Sequence, residues 1–405
     1  MSTETTKITG FTDQRVDAII QELIALRPML QENAPIGEKL RCPAPDADAA
    51  LRGLGMYNLI TPTRWGGAGL STSGFAKIQI EVAKCDPSLS WVVQILNGTT
   101  WVATLGSDAL QEGLFGAGPA PVCGAYNPPG KAKKVDGGYI INGRWPYSSG
   151  SRQAQWYQGG CMIDGDGGPI VPGINMAYLP MSEIEIVDSW YVTGMQGTGS
   201  DTVVAKDVFI PEHMLVTMDK PFGHIEEGKK HIGAASDFLP VVPTVRATGL
   251  AQLLGAAEYM LELTEADAKT KPIITTTYAK RTDSHVHITE IGRIAAILDN
   301  ARVLLFDATG QLDAAAVIGR KFSQLEAAKH KAQCSTIVEL IHSAVEKIMF
   351  LAGSSAFSLD KPIQRYWRDV HVGLRHVQNI PQLGFEIYGR DRLDLTPNIS
   401  PPGAY

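Results

Sequence analysis

The sequence predicts an α+β chain in three parts: an N-terminal helical domain, a central small β-barrel or sandwich, and a C-terminal antiparallel four-helix bundle. Three observations lead there. Apolar residues recur at helical spacing near the start, short β-prone runs cut by Gly, Pro, Asn and Asp fill Val122 to Pro211, and long amphipathic stretches follow Val245. The boundaries read as 1–118, 119–215 and 216–405. A chain of 405 residues is too long for one compact core and suits such a division.

Taken in order, Val16, Ile19, Ile20, Leu23 and Leu26 predict a helix from about Asp13, which Pro28 should kink or end. A second short helix is expected over Leu51 to Leu59, broken by Pro62 and by Gly66-Gly67-Ala68-Gly69. Phe75 to Cys85 reads as a helix, and Ser88 to Thr104, with Trp91 and Trp101, as an apolar buried stretch. Gly116 to Pro121 reads as a linker.

In the β region, Gly137-Gly138 offers positive-φ positions and Asn142-Gly143 is a hairpin-turn signal. Trp145 and Tyr147 then lead into Ser148, Ser149 and Gly150. Aromatic faces beside hydroxyls suit a flat, heteroatom-edged ligand, although the same residues describe an ordinary hairpin with a half-buried aromatic face. Strands are expected at Trp156 to Gly160, Met176 to Leu179 and Ile184 to Val187, with Pro211 closing the domain. Phe222 to Val242, carrying His224, Lys229, Lys230 and His231, reads as a solvated connection, with a lid as the alternative. Helices are expected from Val245, then near Thr282–Gly310, Asp313–Leu351 and Pro362–His376. Their apolar faces predict assembly as a homotetramer.

The net charge of -6 and the lack of a basic run argue against nucleic acid. The polar Met1 to Thr6 start and the absence of a long apolar run argue against a secretory signal and a membrane span. Five scattered cysteines without CxxC spacing read as reduced thiols, so a cytoplasmic location without disulfide or metal site is expected.

Two segments carry a resemblance. GGYIINGRWPYSSG, starting at Gly137, and the run from Trp190 to Asp201 (WYVTGMQGTGSD) resemble the middle-domain signatures of the acyl-CoA dehydrogenase superfamily. More narrowly they are similar to the two-component flavin-dependent monooxygenases (group D) built on that fold, such as 4-hydroxyphenylacetate and indole hydroxylases. LRGLGMYNLITPTRWGGAGLS resembles the superfamily's N-terminal domain, and Arg365 to Asp369 its "R-x-x-R-D" helix. The resemblance covers about Val16 to Gly389.

It implies an oxygenase component that takes reduced FAD, or FMN, from a separate NAD(P)H:flavin reductase. Through a C4a-hydroperoxyflavin formed with O2 it would hydroxylate or epoxidise a small aromatic, an indole or a phenol. The chain has no GxGxxG unit for a nicotinamide of its own. Carried over, Trp145, Tyr147, Ser148, Ser149, Gly150, Thr198 and Ser200 contact the flavin. Arg246 and Tyr278 with Arg281 are the basic region that meets its phosphates, Arg281 often acting from a neighbouring subunit. His376 is the catalytic histidine, with His371 second, and Ser149 assists. A histidine titrating near pH 6.5 can hold or relay a proton at neutral pH. Trp101, Tyr126 and Phe357 would line the substrate. Phenol-hydroxylating relatives often carry a histidine around Leu96 to Trp101; this chain has none, which favours a more neutral aromatic. The alternative is a flavin-dependent acyl-CoA dehydrogenase using Glu258 as carboxylate base.

Overall fold

The computed structural model describes residues 8–164, 174–218, 230–396 and 399; the Met1–Thr6 start, Phe222, His224 and Lys229 lie outside the described residues. The first helix, α1 (Val16–Leu40), continues through Pro28 and Pro35 where the sequence predicted a stop or kink. Leu23 and Leu30 are fully buried beneath it. Arg27 pairs with Glu81 at 2.7 Å, and the Gln31 amide donates to Lys84 O at 3.0 Å. These tertiary contacts offset the hydrogen bonds each proline removes. The second helix, α2 (Pro45–Gly53), starts and ends earlier than expected, because Pro45 fits a first-turn position and Gly55 takes a left-handed turn. Next come α3 (Thr72–Cys85), α4 (Pro87–Ala103) and α5 (Asp108–Phe115). Asp86 caps α4 through Ser88 N, and nearly all of α4 is buried.

Among the described residues seven strands follow: β1 (Val122–Val135), β2 (Gly138–Trp145), β3 (Trp156–Ile163), β4 (Ile174–Pro180), β5 (Glu185–Val187), β6 (Thr202–Pro211) and β7 (Leu215–Met218). They form one sheet in the order β5-β6-β2-β1-β3-β4-β7, so β5 and β7 are its edges and the barrel-or-sandwich expectation resolves to a single sheet. Pro211 ends β6, but β7 adds a strand after it.

The β1–β2 hairpin turns at Gly137, whose φ is 75°. Asn142-Gly143 is not a turn: it lies inside β2, where the β2–β6 register shifts between Ile141 and Gly143. The Asn142 amide donates to Asp207 Oδ1 at 2.9 Å and accepts from Asp207 N at 2.9 Å, holding Asp207 at φ 50°. Gly143 is needed for room. A Cβ there would sit 2.3 Å from the Trp145 ring, and Cβ atoms at Gly130 and Gly159 would come within 2.5 and 2.8 Å of it.

The helices after the sheet are α6 (Val241–Ala268), α7 (His285–Ala316), α8 (Gln324–Ala352), α9 (Pro362–Gly373) and α10 (Pro381–Arg392). The single stretch expected over Asp313–Leu351 is two helices, parted where Gly319 turns at φ 64° and Ser323 opens α8 with a capping box. Helix α6 packs on α3, α7 and α8, and α8 on α10. At Gly255 the backbone of α6 meets α3 so closely that a Cβ would lie 2.4 Å from Ile80 O. Mixed helix and sheet are therefore confirmed. Among the described residues, no helix is long and apolar enough to cross a membrane.

Candidate active site

The strand β2 delivers the chain into a turn that two elements fix. Trp145 is wholly buried and donates from Nε1 to Gly160 O at 2.8 Å. Ser148, also buried, donates to Trp145 O at 2.9 Å and bonds the Tyr157 hydroxyl at 2.8 Å. Both side chains therefore point inward and form the floor of the turn. Tyr147 is 72% exposed, held at φ 61° with its ring edge-on to Trp190. Gly150 is at φ 72° and packs on Leu96.

The Trp190–Asp201 loop is zipped onto this turn. Ser148 N donates to Asp201 O at 3.0 Å and Gly150 N to Thr198 O at 3.3 Å. The Asp201 carboxylate, fully buried, takes the amides of Ser189 and Trp190 and the Arg152 guanidinium at 2.8 Å. Four side chains then form a directed chain. Trp91 Nε1 donates to Ser149 Oγ at 3.2 Å; Ser149 and Ser200 are 2.6 Å apart, Ser200 and Thr198 2.6 Å, and Thr198 Oγ1 donates to Met195 O at 2.8 Å. An indole N–H only donates and a carbonyl only accepts. Ser200 must therefore donate to Thr198, and Ser149 to Ser200. The Ser149 proton is committed inward, leaving that hydroxyl a free lone pair.

The C-terminal "R-x-x-R-D" residues clasp the same loop. Arg368 donates from Nε to Gln364 at 2.8 Å, from Nη1 to Thr193 O, and from Nη2 to Glu38 at 2.8 Å. Asp369 accepts from Met195 N and, at 3.2 Å, from Ser88 Oγ. Burial and the neighbouring Asp86 push its carboxyl from 3.8 up to about 7. The folded state then holds a proton the unfolded chain releases, so this group makes stability fall as pH rises from about 4 to about 7. Asp369→Asn is expected to flatten that part of the melting-temperature profile; an unchanged slope would contradict the assignment.

Just past α9, His376 packs edge-on against Trp91 with centroids 5.5 Å apart, so it joins the hydroxyl chain through that indole. Its Nδ1 accepts from Gln378 N at 3.4 Å, which leaves the proton on Nε2. The ring keeps solvent-accessible surface, yet surrounding protein desolvates it enough to lower its pKa, so it is neutral at pH 7. The neighbouring Arg246 is buried and bonds Gln378 Oε1 at 3.4 Å.

The comparisons with known proteins decide the family. Residues 248–381 match the family described as acyl-CoA dehydrogenase, C-terminal domain. The chain is 29% identical over 395 residues to the flavin-dependent monooxygenase oxygenase subunit HsaA of Mycobacterium tuberculosis, covering 96% of this chain and 99% of that one. It is 30% identical to the FADH(2)-dependent resorcinol hydroxylase oxygenase component of Rhizobium, covering 86% of this chain and 87% of the relative. This chain belongs to the flavin-dependent monooxygenases, as an oxygenase component. Its fold superposes on XiaF from Streptomyces, solved with FADH2 and glycerol, with a TM-score of 0.89 at 26% identity over 96% of this chain and 98% of that one.

Several expected residues of the monooxygenase lie elsewhere. Trp101 is wholly buried, with Nε1 donating to Ser236 O at 2.9 Å. Tyr126 sits half-buried on β1, and burial pushes its hydroxyl up to about 12. Phe357 is half-exposed against Trp367. Arg281 donates to Ala352 O at 3.3 Å, and Tyr278 is exposed; neither meets the serine chain within this subunit. His371 is tied to Glu346 at 2.7 Å, with Arg375 3.0 Å from its Nδ1. With His342, His371 and Glu346 make up the grouping of metal-ligand type among the described residues. Glu258 is held by Arg302 at 2.9 and 2.6 Å and by Lys84 at 3.5 Å, so it is no free carboxylate base. Trp91, Asp201 and Asp369 escaped the sequence reading. Asp201 and Asp369 each had a signal, as the last residue of a motif.

Proposed function

We propose that this oxygenase component inserts one oxygen atom of O2 into a small aromatic, an indole or a phenol, with the turn at Tyr147 to Gly150 as its flavin ledge. The observation that carries the reading is the directed chain from Trp91 to Met195 O, which leaves one lone pair on Ser149, next to Gly150 in the turn. Bound reduced flavin, FAD or FMN, would supply the two electrons that activate O2 for transfer of one oxygen atom. Reduced flavin carries a ring N–H that the oxidised form lacks, and Ser149 is polarised to accept one. Thr198 and Ser200 orient Ser149; His376 holds a proton at Nε2 at the same edge. The relatives' naming as oxygenase subunits implies a separate flavin reductase.

Arg281 would reach flavin phosphates from a neighbouring copy, which accords with a homotetramer built on the C-terminal helices as an antiparallel four-helix bundle. The division at 1–118, 119–215 and 216–405 belongs to the same reading. Tyr126 and Phe357 remain candidates for the aromatic's surroundings. Five free cysteines suit a reducing cytoplasm.

The test is colour and turnover. Near-colourless protein should hydroxylate an aromatic only when given reduced flavin and O2; yellow protein that reduces dyes with acyl-CoA would overturn the proposal. Serine polarity has its own test. Ser200→Ala frees the Ser149 proton to donate outward, so affinity should shift toward oxidised flavin by about tenfold, read by fluorescence titration of both redox forms. An unchanged ratio would remove the directed chain from flavin selection.

A further inference from the structure

Two neighbouring buried cations, one of them bonded to Gln378 just past His376, have no counter-ion among the described residues. Arg246 on α6 is 2% exposed and Lys331 on α8 7%. Arg246 makes one long hydrogen bond, to Gln378, while its Nε and Nη1 have no partner among the described residues. Among the described residues no carboxylate acts on either charge. Their titratable neighbours are neutral: burial and Arg246 push His330 down to about 4, and burial pushes the Cys334 thiol up to about 11. Lys331 itself is lowered to about 8 by burial and by Arg246. Arg365, equally buried, differs in facing Asp86 and Asp369. A desolvated charge without a partner costs several kcal/mol, so a protein that keeps two together has something to set between them.

The position says what. Gln378, the partner of Arg246, lies two residues past His376. On the other side, Gln94 of α4 bonds Thr248 at 2.9 Å and Val245 O at 3.3 Å, one turn from Trp91. Arg246 thus lies against the Trp91–His376 edge of the proposed flavin ledge, with Lys331 next to Arg246.

We propose that Arg246 and Lys331 bind the carboxylate of an anionic aromatic substrate and so set which ring is presented to the ledge. This rests on the monooxygenase reading above and names the substrate class for that site. It replaces the expectation that Arg246 meets flavin phosphate. A guanidinium with unpaired N–H groups and an ammonium offer charge-assisted bonds to one carboxylate group.

The experiment compares matched ligands on the whole enzyme: 4-hydroxyphenylacetate against 4-ethylphenol, and indole-3-acetate against 3-methylindole. Binding is read by calorimetry, independent of turnover. The wild type should favour at least one carboxylate over its neutral partner by about 100-fold. Lys331→Met, which keeps the stem and removes the charge, should cut that advantage about tenfold, and Arg246→Gln should abolish it. Equal affinity for both members of each pair overturns the proposal, even if neutral aromatics are hydroxylated and the monooxygenase reading stands. A third arm titrates reduced FMN against reduced riboflavin. If the variants weaken FMN alone, the cations serve a phosphate, and the proposal falls. If they dissociate the assembly in light scattering without changing ligand preference, a second copy supplies the counter-ion, and it falls likewise.

Discussion

Replacing His376 with alanine is expected to uncouple the enzyme. Reduced flavin should still be consumed with O2, while hydrogen peroxide leaves in place of hydroxylated product, and the ratio of product to flavin oxidised should drop by roughly 100-fold. The reason lies in one proton. The bond from Gln378 N to Nδ1 fixes the tautomer with Nε2 protonated, and desolvation keeps the ring neutral. A neutral imidazole aimed at the Trp91 edge can lend its proton and take it back, which methyl cannot. His371→Ala is the control, because its ring is spent on Glu346 and Arg375. Unchanged coupling in the His376 variant, with peroxide and product both quantified, would remove this histidine from the chemistry.

Gly143→Ala is expected to destabilise the fold by more than the about 1–3 kcal/mol usual for overpacking. The new methyl would stand 2.3 to 2.9 Å from three atoms of the Trp145 ring, which is 0% exposed and hemmed by Gly130 and Gly159. Neither the ring nor the strand has anywhere to go. The double variant with Trp145→Leu should recover part of the loss, because the smaller side chain vacates that volume. Urea unfolding of the four members of the cycle measures the coupling. Strict additivity would show that the clash relaxes by backbone movement instead.

Much of the chain was legible where a local pattern decides the outcome. The helices α3 and α9 follow apolar spacing, and β3, β4 and β5 follow β-prone runs between turn residues. Reading failed where distant contacts overrule local preference. Pro28 signals a helix end, but the contacts of Arg27 and Gln31 with the α3 end carry α1 past it. Asn142-Gly143 has turn composition, yet it is a register shift dictated by the tryptophan two residues on. The candidate site divides the same way. Ser149, Thr198, Ser200 and His376 do come together, because each lies in a segment whose composition is unusual. Trp145, Ser148 and Trp101 carry the same chemistry but are turned into the interior, which only burial reveals. Trp91 joins Ser149 to His376 across three separate segments of chain, and no one segment announces it.

The hold of Arg368 on Glu38 and Thr193 means that damage on α9 will masquerade as damage to cofactor affinity. Selection for revertants of an Arg368 lesion should therefore return compensating changes in the loop around Thr193 or near the end of α1, 175 and 330 residues away in sequence from the original defect.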